Sequence, residues 1–321
     1  MSWRTFKPAH RASSAPGAER CHGQTTLDKY PWENNDRTPP SVLIDFQGQI
    51  RRGTGTSALH DGVLMINCMP ILAVWSPAPA NLEPPGEEVH VWRASLSLAP
   101  DVLQRLKATL APDELSRAAR FVFPEDRDSF VAARGILREL LGAYLKQPPA
   151  SLEFKYGPRG KPALQTGDTD RSIRFSVSHS HGLALYAFAH RHELGADLEM
   201  IQPDFGGEEV AERFFSRREL AELKVLPAEL RAEGFFACWT RKEAYVKARG
   251  EGLQIPLDSF DVSLTPGRPA ELHSPDSARW SLHSFQPAPR FMAAVVGEGR
   301  GWRLRHFEWV PWAPTRSRVN S

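Results

Sequence analysis

The chain is 321 residues long and carries 40 Lys plus Arg against 38 Asp plus Glu, a net charge of +2. So even a balance gives no strong overall field, which argues against a dedicated nucleic-acid or membrane-surface protein. With 41% hydrophobic and 24% charged residues the composition is that of an ordinary globular protein, which excludes disorder throughout and leaves one large domain or two smaller ones. Cys21, Cys68 and Cys238 are few and far apart, which fits neither a disulfide framework nor a CxxC metal site and points to a reducing compartment. No stretch approaches the roughly 20 apolar residues that cross a bilayer. The basic N-terminus is followed by no apolar core, so a cytoplasmic protein is expected.

Residues 1–86 are rich in proline, from Pro8 and Pro16 to Pro84 and Pro85, and show little periodicity. Each proline fixes φ and removes a donor, so this segment reads as a disordered or loosely packed extension. Patterning begins with a strand at Val89–Leu96, followed by a helical stripe of Leu103, Leu106 and Leu110. Pro112 with Asp113 and Glu114 marks a helix start. A longer helix is predicted over Asp126–Leu145, with Phe130, Leu137, Leu140, Leu141 and Tyr144 inward. The period then changes to two: strands are predicted from Ser172, over Leu183–Ala189 and over Leu194–Ile201, the last two joined by a tight turn at Arg191-His192-Glu193. Helices follow at Glu208–Phe215, Arg217–Leu223 and Glu229–Ala248, then strands at Phe260–Leu264, Trp280–Phe285, Phe291–Val296 and Trp302–Trp309. Strand, helices, strands thus occurs twice, predicting two α+β halves that meet near Arg191.

Four constellations carry candidate chemistry. In Leu194-Gly195-Ala196-Asp197-Leu198-Glu199, residues two apart share a face, so Asp197 and Glu199 project together while Ala196 and Leu198 turn inward. Such a pair is either a solvated acidic edge or an oxygen site for Mg²⁺. In Trp239-Thr240-Arg241-Lys242-Glu243-Ala244-Tyr245-Val246-Lys247, Glu243 and Lys247 share a helix face with Trp239. That pattern suits a catalytic face, a surface salt bridge or, for the aromatics, plain core. In Phe175-Ser176-Val177-Ser178-His179-Ser180-His181-Gly182, His179 and the serines can hydrogen-bond phosphate, and His179 with His181 invites a zinc reading. Tyr156-Gly157-Pro158-Arg159-Gly160-Lys161-Pro162 is a turn that brings Lys161 toward an anion but lacks P-loop spacing.

Taken in order, these strings resemble those of a 4'-phosphopantetheinyl transferase of the long, pseudo-dimeric Sfp type, over about residues 89–309. The departures are an insertion at Pro158-Arg159, Ser176 in place of Asn, and Ala196 in place of a β-branched residue. The resemblance implies an α+β fold of two similar subdomains related by a pseudo-twofold, here 87–191 and 192–310, with 311–321 as a tail. It implies transfer of the phosphopantetheine arm of coenzyme A to a carrier-protein serine, with release of adenosine 3',5'-bisphosphate. By the same resemblance Asp197, Glu199 and Glu243 hold Mg²⁺, Glu243 accepts the serine proton and Lys247 faces the phosphate. Ser178 and His179 bind the pyrophosphate side of coenzyme A, and Arg117 and Lys161 bind its 3'-phosphate, flanked by Arg127 and Arg134. The expected partner is an acidic acyl or peptidyl carrier protein of fatty-acid, polyketide or nonribosomal peptide synthesis. Arg213, Arg217 and Arg218 are either its landing surface or solvated charges over Phe214 and Phe215. Two halves already form a cleft, so a monomer suffices, and neither nucleic acid nor membrane is expected. The rival readings are a metal-dependent phosphohydrolase or nuclease using the same carboxylates, and a non-catalytic module that binds coenzyme A or a carrier.

Overall fold

The computed structural model describes residues 72–79, 81–157, 160–165, 173–203, 207–251 and 255–311. The first half runs β2 (Glu88–Ser95), α1 (Pro100–Lys107), α2 (Pro112–Ala118), α3 (Pro124–Leu145), a hairpin β3 (Phe154–Tyr156) and β4 (Pro162–Leu164), then β5 (Ile173–Ser180) and β6 (Leu183–His190). The second half repeats the plan as β7 (Leu194–Met200), α4 (Glu208–Phe214), α5 (Arg217–Val225), α6 (Ala228–Arg249), a short hairpin β8 (Asp261–Val262) and β9 (Leu272–His273), then β10 (Trp280–Phe285) and β11 (Phe291–Glu298). A strand, three helices with a 22-residue third, a hairpin and two antiparallel strands thus occur twice. The fold is α+β.

Local signals account for the element ends. Proline opens α1, α2 and α3 at positions where its missing N–H costs nothing. Ser216 caps α5: its side chain accepts from Glu219 N, and Glu219 Oε2 accepts from Ser216 N at 2.8 Å. The cationic Gly-Pro string is the turn of the β3–β4 hairpin, closed by Gly157 N donating to Lys161 O at 3.0 Å.

Besides the two hairpins, two larger sheets form, ordered β1-β12-β2-β6-β5 and β10-β11-β7. Here β1 is Ser76–Pro77 and β12 is Arg303–Glu308. Alternation along β2 and β6 divides their side chains between two core layers. Trp92, Tyr186 and Phe188 face α3 and its Ile136, Leu140 and Tyr144; Val91, Leu185 and Ala187 face Ala196, Leu198, Ala293 and Val295 of the second sheet.

Two features depart from the sequence reading. The C-terminal strand β12 does not join the second half's sheet but returns to pair in parallel with β2 of the first, covering what would be an exposed edge. The proline-rich extension, otherwise outside the described residues, has a packed end. β1 pairs with β12, Ala73 N donates to Gln286 O at 3.0 Å, and Leu82 sits in the core at 6% exposure, with Lys146 Nζ on its carbonyl at 2.7 Å. Leu82→Ala is therefore expected to cost about 2–5 kcal/mol in a denaturant melt, the usual loss for a buried leucine. A truncation at residue 86, which removes β1 and Leu82, should destabilise the protein.

Candidate active site

β7 is placed by its own composition. Ala196 and Leu198 enter the inter-sheet core, while Asp197 and Glu199 point to the opposite face and are only 1% and 3% exposed. Burial excludes the solvated-edge alternative. Gly195 lets α6 lie directly on the strand: a Cβ there would stand 2.1 Å from Ala244 O and 2.3 Å from Ala248 N, so only glycine fits.

The free edge of β7 meets β5, and serine hydroxyls replace the missing backbone ladder. Ala196 N donates to Ser176 Oγ at 2.9 Å and Met200 N to Ser180 Oγ at 3.2 Å. Four residues on either strand separate the two bonds, so β5 and β7 run side by side in the same direction. Between them Ser178 Oγ donates to Asp197 Oδ1, and Ser180 Oγ to Glu199 Oε2, both at 2.8 Å. Ser176, in the place of the family's Asn, satisfies an amide that would otherwise be buried without a partner.

α6 supplies the third side of the site. Trp239 stacks on Phe235 and meets Phe214 edge-on, and Lys242 is buried against Glu219 at 2.8 Å and the carbonyls of Leu257 and Phe260. These contacts fix the helix so that its Glu243–Lys247 face looks at β7. Lys247 Nζ lies 2.5 Å from Asp197 Oδ1 and 3.4 Å from Ser178 Oγ, so it bonds across to the strand rather than along the helix to Glu243.

Carboxyl groups outnumber cations here. Burial, then the neighbouring Asp197, pushes the Glu199 carboxyl up to about 8. Burial also raises Glu243, with Asp197 adding to the rise and Lys247 opposing it. Burial pulls Lys247 down, but Asp197 and Glu243 outweigh it and hold the ammonium above its ordinary value. Asp197 Oδ2 is buried with no hydrogen-bond partner. One ammonium thus serves three carboxyl groups, and the orphaned oxygen marks a place for a cation. Among the described residues no three His, Cys, Asp or Glu side chains cluster as a metal-ligand set. The expected convergence of all three carboxylates is therefore not preformed, and the zinc reading of His179 and His181 gains no support. The donor set still fits Mg²⁺, which commonly takes one or two protein carboxylates and completes its shell with water and phosphate oxygens.

A cleft of about 560 Å³ opens beside these groups, lined among others by Arg117, Arg134, Lys161, His179, Glu243 and Lys247. Burial lowers the Lys161 ammonium, partly opposed by Glu193. Arg117 is exposed, with its guanidinium over the Phe130 ring at 5.2 Å, and His179 is exposed on β5. Ser178 does not line the cleft; its hydroxyl is turned to Asp197. Arg127 pairs with its neighbour Asp128 at 3.0 Å. Arg134, only a flanking candidate in the sequence, emerges as the most developed cation of the cleft. It is 8% exposed and held by Glu114 at 3.3 Å over the Phe154 ring, with Nη1 buried and unpartnered. Its arginine-rich helix context is the only signal in the sequence, because its partners come from α2 and β3.

Residues 193–296 match the 4'-phosphopantetheinyl transferase superfamily, and residues 92–190 match the N-terminal 4'-phosphopantetheinyl transferase family. The 4'-phosphopantetheinyl transferase HetI of Nostoc sp. is 43% identical over 235 residues, covering 73% of this chain and 98% of its own. The 4'-phosphopantetheinyl transferase Sfp of Bacillus subtilis is 27% identical over 199 residues, 62% of this chain and 86% of its own. Among solved structures, the Chronobacterium ammoniagenes ACPS-CoA complex covers 34% of this chain and 98% of its own at 18% identity and a TM-score of 0.27. The chain belongs to the 4'-phosphopantetheinyl transferase family.

Proposed function

We propose that the protein transfers the 4'-phosphopantetheine group of coenzyme A to a serine hydroxyl of an apo carrier protein, releasing adenosine 3',5'-bisphosphate, in a reaction that needs Mg²⁺. The observation that carries this reading is the pairing of buried Asp197 with Lys247, with Glu199 and Glu243 beside it, opening on a cleft whose other wall is cationic. Carboxylates alone would repel a pyrophosphate, and cations alone would bind it without activating a nucleophile.

Asp197 and Glu199 would hold the ion, with Glu243 beside them; the bound ion would neutralise pyrophosphate charge. The residues of the chain do the rest. Glu243, whose carboxyl is raised by burial, would accept the serine proton, and a raised pKa makes it a stronger base. Lys247 keeps Asp197 oriented and presents positive charge to the phosphoryl group being displaced. His179 lines the cleft on the β5 side as a donor to phosphate, and Ser178 acts one step back, orienting Asp197. Arg134 and Arg117, which both line the cleft, suit the 3'-phosphate.

The carrier is proposed to be acidic and to approach over α4 and α5. Phe215 is core, stacked on Phe235, while Arg213 lies over Phe214 and Arg217 and Arg218 are exposed at the start of α5. Among the described residues no helix is long and apolar enough to cross a membrane. A cytoplasmic monomer that engages no nucleic acid completes the proposal. The relatives named above are transferases, which favours group transfer over the hydrolytic reading.

The test is intact-mass spectrometry of a panel of apo carriers incubated with the protein, coenzyme A and Mg²⁺. At least one carrier is expected to gain the mass of one phosphopantetheine group. No gain on any carrier, with hydrolysis of coenzyme A or nucleic acid instead, would overturn the reading.

A further inference from the structure

We propose that Lys161 is a positioning residue, which holds the last turn of α6 against the first residue of β7 and so keeps Lys247 and Glu243 in place over Asp197. The inference rests on the transferase reading of the cleft but assigns Lys161 a different role from the 3'-phosphate ligand that the family resemblance implies.

The Lys161 ammonium donates to Lys247 O at 2.8 Å and to Leu194 O at 3.1 Å, and lies 3.6 Å from Glu193 Oε2. A lysine ammonium has three donors, and here two are taken by backbone carbonyls, with the Glu193 carboxylate within ion-pair range. A phosphate would have to compete with these contacts for the ammonium. The acceptors are also informative. Lys247 O belongs to the final four carbonyls of α6, which have no partner within the helix. Leu194 precedes Gly195, the residue on which the α6 backbone rests. Lys161 therefore stitches together the two backbones whose spacing sets the Lys247 to Asp197 contact. Glu193 extends the stitch, with Arg174 Nε at 3.3 Å from its other oxygen, so β4, β5, β7 and α6 are tied at one point. Chemistry at a phosphoryl centre is steep in position: a misplacement of about 1 Å can cost on the order of a hundredfold.

Steady-state kinetics of Lys161→Met and Lys161→Arg, each with coenzyme A and with 3'-dephospho-coenzyme A, separate the two roles. For Lys161→Met, kcat is expected to fall on the order of tenfold to a hundredfold with both substrates. KM for coenzyme A should stay within about twofold of wild type, and the preference between the two substrates should not change. Lys161→Arg, whose fork can span two carbonyls, is expected to recover most of kcat. A raised KM with kcat intact, or loss of the preference for the 3'-phosphorylated substrate, would make Lys161 a ligand and overturn the proposal. Should Lys161→Met fail to fold, the wild-type ¹⁵Nζ resonance decides. It is expected to exchange slowly in the free protein and to shift equally with either substrate, whereas a shift that depends on the 3'-phosphate refutes the proposal. A wild-type protein inactive on every carrier counts against the transferase reading instead, and slow or fast exchange in the free protein still settles whether Lys161 is held by carbonyls.

Discussion

Asp197→Ala is expected to remove transfer activity and to destabilise the fold at the same time. The carboxylate is almost fully buried and accepts from both Ser178 and Lys247, so its loss removes the nearest partner of an ammonium whose side chain is 21% exposed. Losing a hydrogen bond to a charged group costs about 1.5–3 kcal/mol, and Glu243 and Glu199 still compensate the partly exposed ammonium, which keeps the loss in that range. Asp197→Asn separates the two effects: its Oδ1 still accepts from Ser178 and Lys247, so the melting temperature should recover in good part. Activity should not, since the amide cannot help neutralise a cation, and a loss on the order of a hundredfold or more is expected. Transfer assays paired with thermal melts on the two variants check this. Asparagine activity near wild type would remove Asp197 from the chemistry.

Gly195→Ala is the second large effect, and it comes from a residue with no functional group. The added methyl would meet the carbonyl oxygen of Ala244 and the amide nitrogen of Ala248 far inside contact distance, and both are helix backbone that cannot rotate away. Either α6 lifts from β7 or the strand bends. Overpacking in a close-packed interior typically costs about 1–3 kcal/mol and sometimes more. Because α6 also carries Glu243 and Lys247, the displacement should lower kcat on the order of a hundredfold. A melt and a kcat measurement test this. An alanine variant with unchanged kcat would show that the spacing of α6 and β7 does not govern the reaction.

Much of the site was legible in the sequence because it depends on short-range geometry. The two-residue period of β7 puts Asp197 and Glu199 on one face whatever surrounds them, and the four-residue spacing of Glu243 and Lys247 puts them on one side of α6. The doubled order of strands and helices was equally plain, since apolar period and proline punctuation are local. The partners were not. Lys247 was as compatible with a surface salt bridge to Glu243 as with Asp197, and only the packing of α6 on Gly195 selects the latter. Ser178 read as a phosphate donor, yet the side-by-side placement of β5 and β7 turns it to a carboxylate. Arg134 looked like one arginine among several until Glu114 and the Phe154 ring were seen to hold it with one nitrogen unspent.

What the sequence alone determined is the set of elements, which face of each is polar, and the family to which their order points. These follow from backbone periods of 2 and 3.6 residues and from side-chain chemistry, neither of which needs distant contacts. The tertiary structure alone decided which charges meet, that β12 crosses back to the first sheet, and that the end of the proline-rich segment is part of the core. Those outcomes join residues dozens of positions apart, where burial and the demand that each buried polar group find a partner choose among many locally equivalent arrangements.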